Sequence, residues 1–301
     1  MTTGNARPRR PVDHVVPPTS GAVLVLGEFD GVHRGHVALV ETAVELASRR
    51  GAQVVAVVAD RGRGAPHIMA VTRRCELLLS YGVSSAVVAP LARPVDVRDA
   101  LGDALDRLHP STVFVDREAW PTLPRAPLQQ YLAGLGAAVL AGPEVADADQ
   151  ETIEAVTIID RLSAGDVVAA RTMLGRPYEL AGSVVQHDVR PPPTGFQTEE
   201  LSTDADAVLP RRGVYAARAL VGRRWVEAAV NIGIRPMLTS SGPVVVQAHL
   251  LDYEGDLRHS ELSLRFVRRL RDERLFARPQ DLDVQVQADV HEVRAHLRSK
   301  A

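Results

Sequence analysis

Ala22-Val-Leu-Val-Leu-Gly-Glu-Phe-Asp-Gly-Val-His-Arg-Gly-His36 runs from five apolar residues into a turn with three glycines and two histidines, then into helical spacing from His36 to Arg49. An apolar run without alternation has the length of a strand buried on both faces, and a strand passing directly into a helix is the building unit of parallel sheets. Similar runs recur at 54–58, 86–89, 112–115 and 137–140, and stretches with helical spacing lie between them at 72–80 and 97–108. The alternation predicts an α/β domain with a parallel sheet covered by helices on both faces, a Rossmann-like arrangement.

After Tyr178 the text becomes strand-rich, with runs at 213–221, 225–232, 244–251 and 262–266 and helical spacing at 289–298. Gly222 between the first two runs favours a hairpin. The second domain is expected to be an antiparallel β-barrel with a closing helix. The polar stretch 197–206 and Pro191-Pro-Pro193 read as loop. Residues 1–20, rich in Pro and Arg and without apolar periodicity, read as a disordered lead-in, leaving domains at 21–178 and 182–301.

Composition narrows the function. A net charge of −2 with both signs mixed along the chain gives no footprint for sequence-independent binding to nucleic acid. The single cysteine, Cys75, excludes an internal disulfide and a cysteine zinc site and suits a reducing compartment. No apolar run approaches a membrane span, and the start lacks the features of a secretory signal, so a cytoplasmic protein without a membrane partner is expected. Lys300 is the lone lysine, which rules out a P-loop ending in Gly-Lys and any lysine inside a site.

The turn after the first run stands where open α/β sheets bind ligands, at the carboxyl end of a strand. A helix start offers unpaired N–H groups and a positive dipole end, Gly27, Gly31 and Gly35 permit close backbone approach, and His33 and His36 can add donors to phosphate oxygens. That set suits a triphosphate. For a lone histidine, capping the helix or simple solvation is the commoner outcome. Aminoacyl-tRNA synthetases resemble this chain at the two histidines alone, and the second, lysine-bearing loop that they usually use cannot come from Lys300.

The motif resembles the Gly-Asn-Phe-Asp-Gly-Val-His-x-Gly-His of bacterial bifunctional riboflavin kinase/FAD synthetases and departs from it only at Glu28, where that family has Asn. Leu174-Gly-Arg-Pro-Tyr178 with Gly182, Gly213-Val-Tyr-Ala216, Asn231-Ile-Gly-Ile-Arg-Pro236, Ala248-His-Leu-Leu-Asp252 and Leu270-Arg-Asp-Glu273 extend the resemblance over nearly the whole chain. It implies a nucleotidyltransferase domain followed by a flavokinase-like barrel, with ATP, Mg²⁺ and a flavin (riboflavin or FMN) as ligands. By the same carry-over, His33 and His36 are catalytic, while Gly27, Phe29, Asp30 and Gly35 contact the nucleotide. In the barrel, Thr198 and Glu200 hold nucleotide and Mg²⁺, and Asn231, Arg235, Arg271 and Phe276 meet the flavin.

Several positions depart from the family pattern. The presumed kinase base, a glutamate in the family, is Gln247 here, and the loop asparagine is Glu200. An amide cannot accept a proton, so the kinase is expected to be weakened or lost unless Glu200 restores a carboxylate. In the first domain, Ala59-Asp-Arg-Gly-Arg-Gly-Ala-Pro66 and Asp116-Arg-Glu-Ala-Trp120 replace family motifs, and 155–160 lacks the family's Ser-Ser-Thr. The resemblance implies adenylylation of FMN to FAD. The alternatives are a non-catalytic flavin or nucleotide binder and a transferase repurposed for another nucleotide or flavin analogue; the sequence carries no signal for oligomeric state.

Overall fold

The computed structural model describes residues 21–90, 105–106, 108–118, 125–185, 198–234, 243–274, 276 and 278–298. The expected lead-in at 1–20, the triple proline, Arg235 and most of the 97–108 helix lie outside them. Spatial proximity divides the chain into Met1–Ala65 with Met69–Ala155, and Pro66–Ile68 with Val156–Ala301.

The first unit contains β1 (Val23–Gly27), a 3₁₀ turn (Asp30–Val32), α1 (Arg34–Arg50), β2 (Val54–Asp60), α2 (Val71–Ser80), β3 (Ser85–Pro90), β4 (Thr112–Val115), α3 (Arg125–Gly134) and β5 (Ala138–Ala141). All five strands pair in parallel in the order β3-β2-β1-β4-β5. The central strand explains the opening sequence: Leu24 and Leu26 pack into a cluster with Val55, Val57, Val113, Leu128 and Leu132, whereas Val23 and Val25 join Leu39, Val40, Ala43 and Leu78 on the opposite face. With both faces buried there is no polar alternation to read.

Strand order also fixes where a ligand can enter. From β1 the chain crosses to β2 on one side, and from β4 it crosses to β5 on the other, so the carboxyl ends of β1 and β4 flank a reversal of strand order. Such a reversal opens a crevice in doubly wound sheets.

The second unit holds α4 (Ala155–Ala164, which begins at the last residue of the first unit), α5 (Val167–Leu174), β6 (Glu179–Val185), β7 (Thr198–Thr203), β8 (Gly213–Val221), β9 (Arg224–Gly233), β10 (Val245–Leu250), β11 (Glu261–Arg271) and α6 (Pro279–Arg298). Six strands close a barrel in the order β10-β7-β6-β11-β8-β9. Tyr178, Tyr215 and Phe266 are wholly buried and pack ring on ring, with centroid separations of 5.8 and 5.3 Å. The Tyr178 hydroxyl donates to the Val208 carbonyl at 2.6 Å, so the one polar atom of that ring is satisfied.

Three expectations are corrected here. Thr198–Thr203, read as loop, is strand β7, because cross-strand pairing on both sides supplies the stability that its polar sequence does not advertise. Helices α4 and α5 were not identified from the sequence. The closing helix begins at Pro279 rather than near Asp289, and β11 continues past Phe266 to Arg271.

Candidate active site

The turn after β1 is bent by residues of unusual backbone. Phe29 (φ 53°), Gly31 (φ 74°) and Val32 (φ 41°) all take positive φ, and for Phe and Val that conformation is strained. Buried contacts hold it in place. Asp30 accepts from Met69 N at 3.0 Å and from the Arg74 guanidinium at 2.9 Å, while Arg74 also donates to the Glu28 carbonyl at 3.1 Å. Arg74 is only 7% exposed, so this arginine on α2 ties the turn to the body of the domain.

The turn delivers His33 and His36 as a buried, stacked pair, with ring centroids 3.6 Å apart. His33 caps α1: its Nδ1 accepts from Gly35 N at 3.2 Å. A ring nitrogen that accepts carries no proton, so the proton of a neutral His33 sits on Nε2, which donates to Glu118 Oε1 at 2.6 Å. The Nε2 of His36 meets Asp116 Oδ2 at 3.0 Å and lies 3.8 Å from Glu118 Oε1. Both carboxylates come from the end of β4, across the strand reversal. Gly27 makes room for one of them, since a Cβ there would fall 2.7 Å from Asp116 Cβ. Glu118 is itself aimed by Ala155 N, which donates to its other oxygen at 2.8 Å.

Electrostatics separate the two rings. Burial, then the charge of His36, depress the pKa of His33 below its ordinary 6.5 against the pull of Glu118. Burial also opposes charge on His36, but Asp116, Glu118 and Asp30 together outweigh it and raise its pKa. The Asp116 carboxyl, pushed up by burial, is brought below its usual range chiefly by His36. These shifts favour charge on His36 and on Asp116 and disfavour it on the stacked His33. Linkage follows with opposite signs: His36 contributes stability below its unfolded pKa that is lost as pH rises through its raised folded value, whereas His33 disfavours folding as pH falls below its unfolded value. In a heteronuclear NMR titration one ring is expected to titrate above 6.5 and the other below it, and two rings titrating together near 6.5 would contradict the arrangement.

Glu28, in place of asparagine, pairs with Arg61 at 3.0 Å. Its pKa is raised by burial, against the lowering pull of Arg61 and Arg74. A cavity of about 460 Å³ opens beside the histidines, lined among others by His33, Gly35, Asp116, Glu118, Gln129 and Thr152.

The barrel brings a second set together. Glu200 on β7 lies opposite Gln247 on β10, Gln247 opposite Asn231 on β9, Asn231 opposite Val214 on β8, and Val214 opposite Arg271 on β11. Five residues drawn from distant sequence thus share one row. Two positions along on β8 and β9, Ala216 and Ala229 pack against Val290, Val293 and Leu297 of α6, which puts the row on the barrel's outer face. Thr198 shares that face on β7, two residues from Glu200.

Arg271 is the last residue of β11. It grips Asp289 of α6 through two bonds of 2.8 and 2.6 Å, so its guanidinium joins β11 to the helix. Phe276 is half-buried. Sequence reasoning missed Asp116, Glu118 and Arg74. The first two were visible only as departures from a motif, and nothing local marks a carboxylate as the partner of a histidine about eighty residues away.

Comparison with known proteins agrees with this division. A family model described as FAD synthetase matches residues 16–95 and one described as riboflavin kinase matches 174–297. The bifunctional riboflavin kinase/FMN adenylyltransferase of Pseudomonas fluorescens is 26% identical, over 95% of this chain and 96% of its own. The enzyme of the same name from Bacillus subtilis is 25% identical, over 90% and 91%. A crystal structure described as a macrolide-efflux protein from Streptococcus pneumoniae superposes with a TM-score of 0.77 at 22% identity, covering 91% of this chain and 94% of that one, which speaks to fold alone. Among the described residues no helix is long and apolar enough to cross a membrane. With both models matched in order, near full-length relatives that carry both names, and an α/β sheet followed by a closed barrel, the chain belongs to the bifunctional riboflavin kinase/FMN adenylyltransferase family as a diverged member.

Proposed function

We propose that within flavin nucleotide biosynthesis this chain transfers the adenylyl group of ATP to FMN, and that it phosphorylates riboflavin weakly. We assign the first reaction to residues 21–178 and the second to 182–301, and place both in the cytoplasm, where ATP is available. The observation carrying the reading is the His33/His36 pair at the start of α1, beside a cavity at the strand reversal. An FMN phosphate oxygen attacks the α-phosphorus of ATP, the bond to the β-phosphate oxygen breaks, and pyrophosphate leaves. The protein's part is to align the two phosphates and to neutralise charge on the departing one. The N–H groups of Gly35 and of the first turn of α1, with the imidazolium of His36, supply donors for that purpose. Gly27, Phe29 and Asp30 shape the turn so that the nucleotide can approach the backbone.

Asp116 and Glu118 occupy the Nε2 atoms of both rings. A triphosphate must therefore exchange with carboxylates, which is expected to make adenylylation slower than where neutral groups stand at those positions. The same observation favours a second reading, a flavin or nucleotide binder without turnover.

For the kinase, we read the carboxylate as moved across the strand pair, since the resemblance implies an asparagine at Glu200 and a glutamate at Gln247. Directly opposed residues have Cβ atoms about 4.5–5.5 Å apart, so Glu200 covers almost the same space. Glu200 acts as the base for the ribityl hydroxyl, and with the Thr198 hydroxyl it offers the hard oxygen donors that Mg²⁺ prefers. Asn231, Arg235 and Phe276 contact the flavin. Chromatography after incubating the full chain with riboflavin or FMN, ATP and Mg²⁺ tests both reactions: FAD from FMN and a small yield of FMN from riboflavin are expected. Absence of both products, with ligand binding intact by calorimetry, would leave the binder.

A further inference from the structure

We propose that Glu273 is a positioning residue for the flavin: its carboxylate latches the connector between β11 and α6, which carries Phe276, onto the end of β9 beside Asn231. The inference rests on the reading that Asn231 and Phe276 meet the flavin. These two residues come from distant segments, so a common ligand requires something that holds the segments together.

Glu273 does so at a notch in the barrel's surface. Its Oε1 accepts from Ile234 N at 2.7 Å, immediately beyond the last residue of β9. An ionised acceptor makes such a bond roughly twice as strong as a neutral one. Gly233 supplies the space: a Cβ there would collide with the Glu273 carboxylate, meeting Oε1, Cδ and Oε2 before any other atom. Gly233 faces the same way as Asn231, because alternate residues of a strand share a face. Asn231 pairs with Gln247 and Gly233 with Val245, so the notch lies on the face that carries Glu200, Gln247 and Asn231. The Glu273 carboxylate thus takes the place of the side chain that β9 omits, about 7 Å along the strand from Asn231.

On its other side the connector is tied to α6. Arg274 donates to Gln285 Oε1 at 3.1 Å, Gln285 donates to Asp289 Oδ1 at 2.9 Å, and the buried Asp289 holds Arg271. Arg271 and Arg274 therefore fix the chain to the helix, and Glu273, between them in sequence, fixes it to the strand. Phe276 follows directly and is half-buried. A glutamate that served only to satisfy one backbone N–H would influence stability and leave flavin affinity alone, and this difference can be measured.

Quenching of riboflavin fluorescence, titrated on the full chain, reads flavin binding without needing turnover. Glu273→Ala is expected to weaken binding at least about tenfold, the loss of one hydrogen bond to a charged group. Glu273→Gln, whose amide oxygen can still accept from Ile234 N, should recover most of that loss. Gly233 does not take a positive φ, so alanine strains no backbone there. Gly233→Ala should nevertheless match Glu273→Ala, because the added methyl evicts the carboxylate, and in the double variant the two losses should not add. Thermal unfolding followed by circular dichroism checks that each variant is folded. Riboflavin affinity equal to the parent's in folded Glu273→Ala, or full additivity with Gly233→Ala, overturns the latch alone. A parent chain that binds neither riboflavin nor FMN overturns the flavin assignment itself, and the latch with it.

Discussion

Replacing His36 by alanine is expected to lower the rate of FMN adenylylation by about a hundred- to a thousandfold, the cost of removing one preorganised donor aimed at developing charge. The residue is buried, Asp116 favours its charged form, and it sits one helical turn inside the glycine-rich bend. The loss should fall on kcat more than on KM, because a donor that meets charge formed in the transition state contributes little to ground-state binding. Steady-state kinetics on the variant, with thermal unfolding as a control for folding, checks this. A rate within tenfold of the parent would remove the imidazolium from the chemistry.

The second large effect concerns the barrel. Glu200→Gln should lower the proposed phosphorylation of riboflavin by about a hundred- to ten-thousandfold, while leaving adenylylation intact. Gln247→Glu should act in the opposite sense and raise the kinase rate, since it restores a carboxylate on the opposed strand position. Like charges directly opposite each other destabilise a strand pair by a fraction of a kcal/mol, so the restored enzyme should be slightly less stable and more active. If Glu200→Gln phosphorylates riboflavin as fast as the parent, the carboxylate has not been relocated and another base does the work.

How far the chain could be read depended on what each element buries. Strands β1 to β4 were legible because they are packed on both sides, and burial of that kind leaves uninterrupted Val, Leu and Ala. Strand β7 was not. Thr-Glu-Glu-Leu-Ser-Thr carries its information in the neighbours it pairs with, β6 and β10, rather than in its own composition. The start of α6 misleads in the other direction: Leu282, Val284 and Val286 alternate as a strand would, yet they lie in a helix opened by Pro279, and Val284 is 70% exposed. Helix packing against the cluster that holds Ala216 and Ala229 begins only at Val286.

The candidate sites divide in the same way. The two histidines were legible because glycine spacing, a preceding strand and a following helix mark them locally. Their carboxylate partners were not, because Asp116 and Glu118 become neighbours of the pair only once β4 is set beside β1. The kinase row was assembled from matches far apart in sequence, and strand register then brought Glu200, Gln247 and Asn231 onto one line. Arg271 is the reverse case: its charge was visible, but its engagement with Asp289 required the helix to be in place.

Catalysis by the imidazole pair requires that the bond broken in ATP be the one between its α- and β-phosphates. Incubating the full chain with FMN, Mg²⁺ and ATP labelled at the α-phosphorus should carry the label into FAD and leave the released pyrophosphate unlabelled. Label that stays entirely in ATP, while the protein is folded and binds nucleotide, would contradict the account.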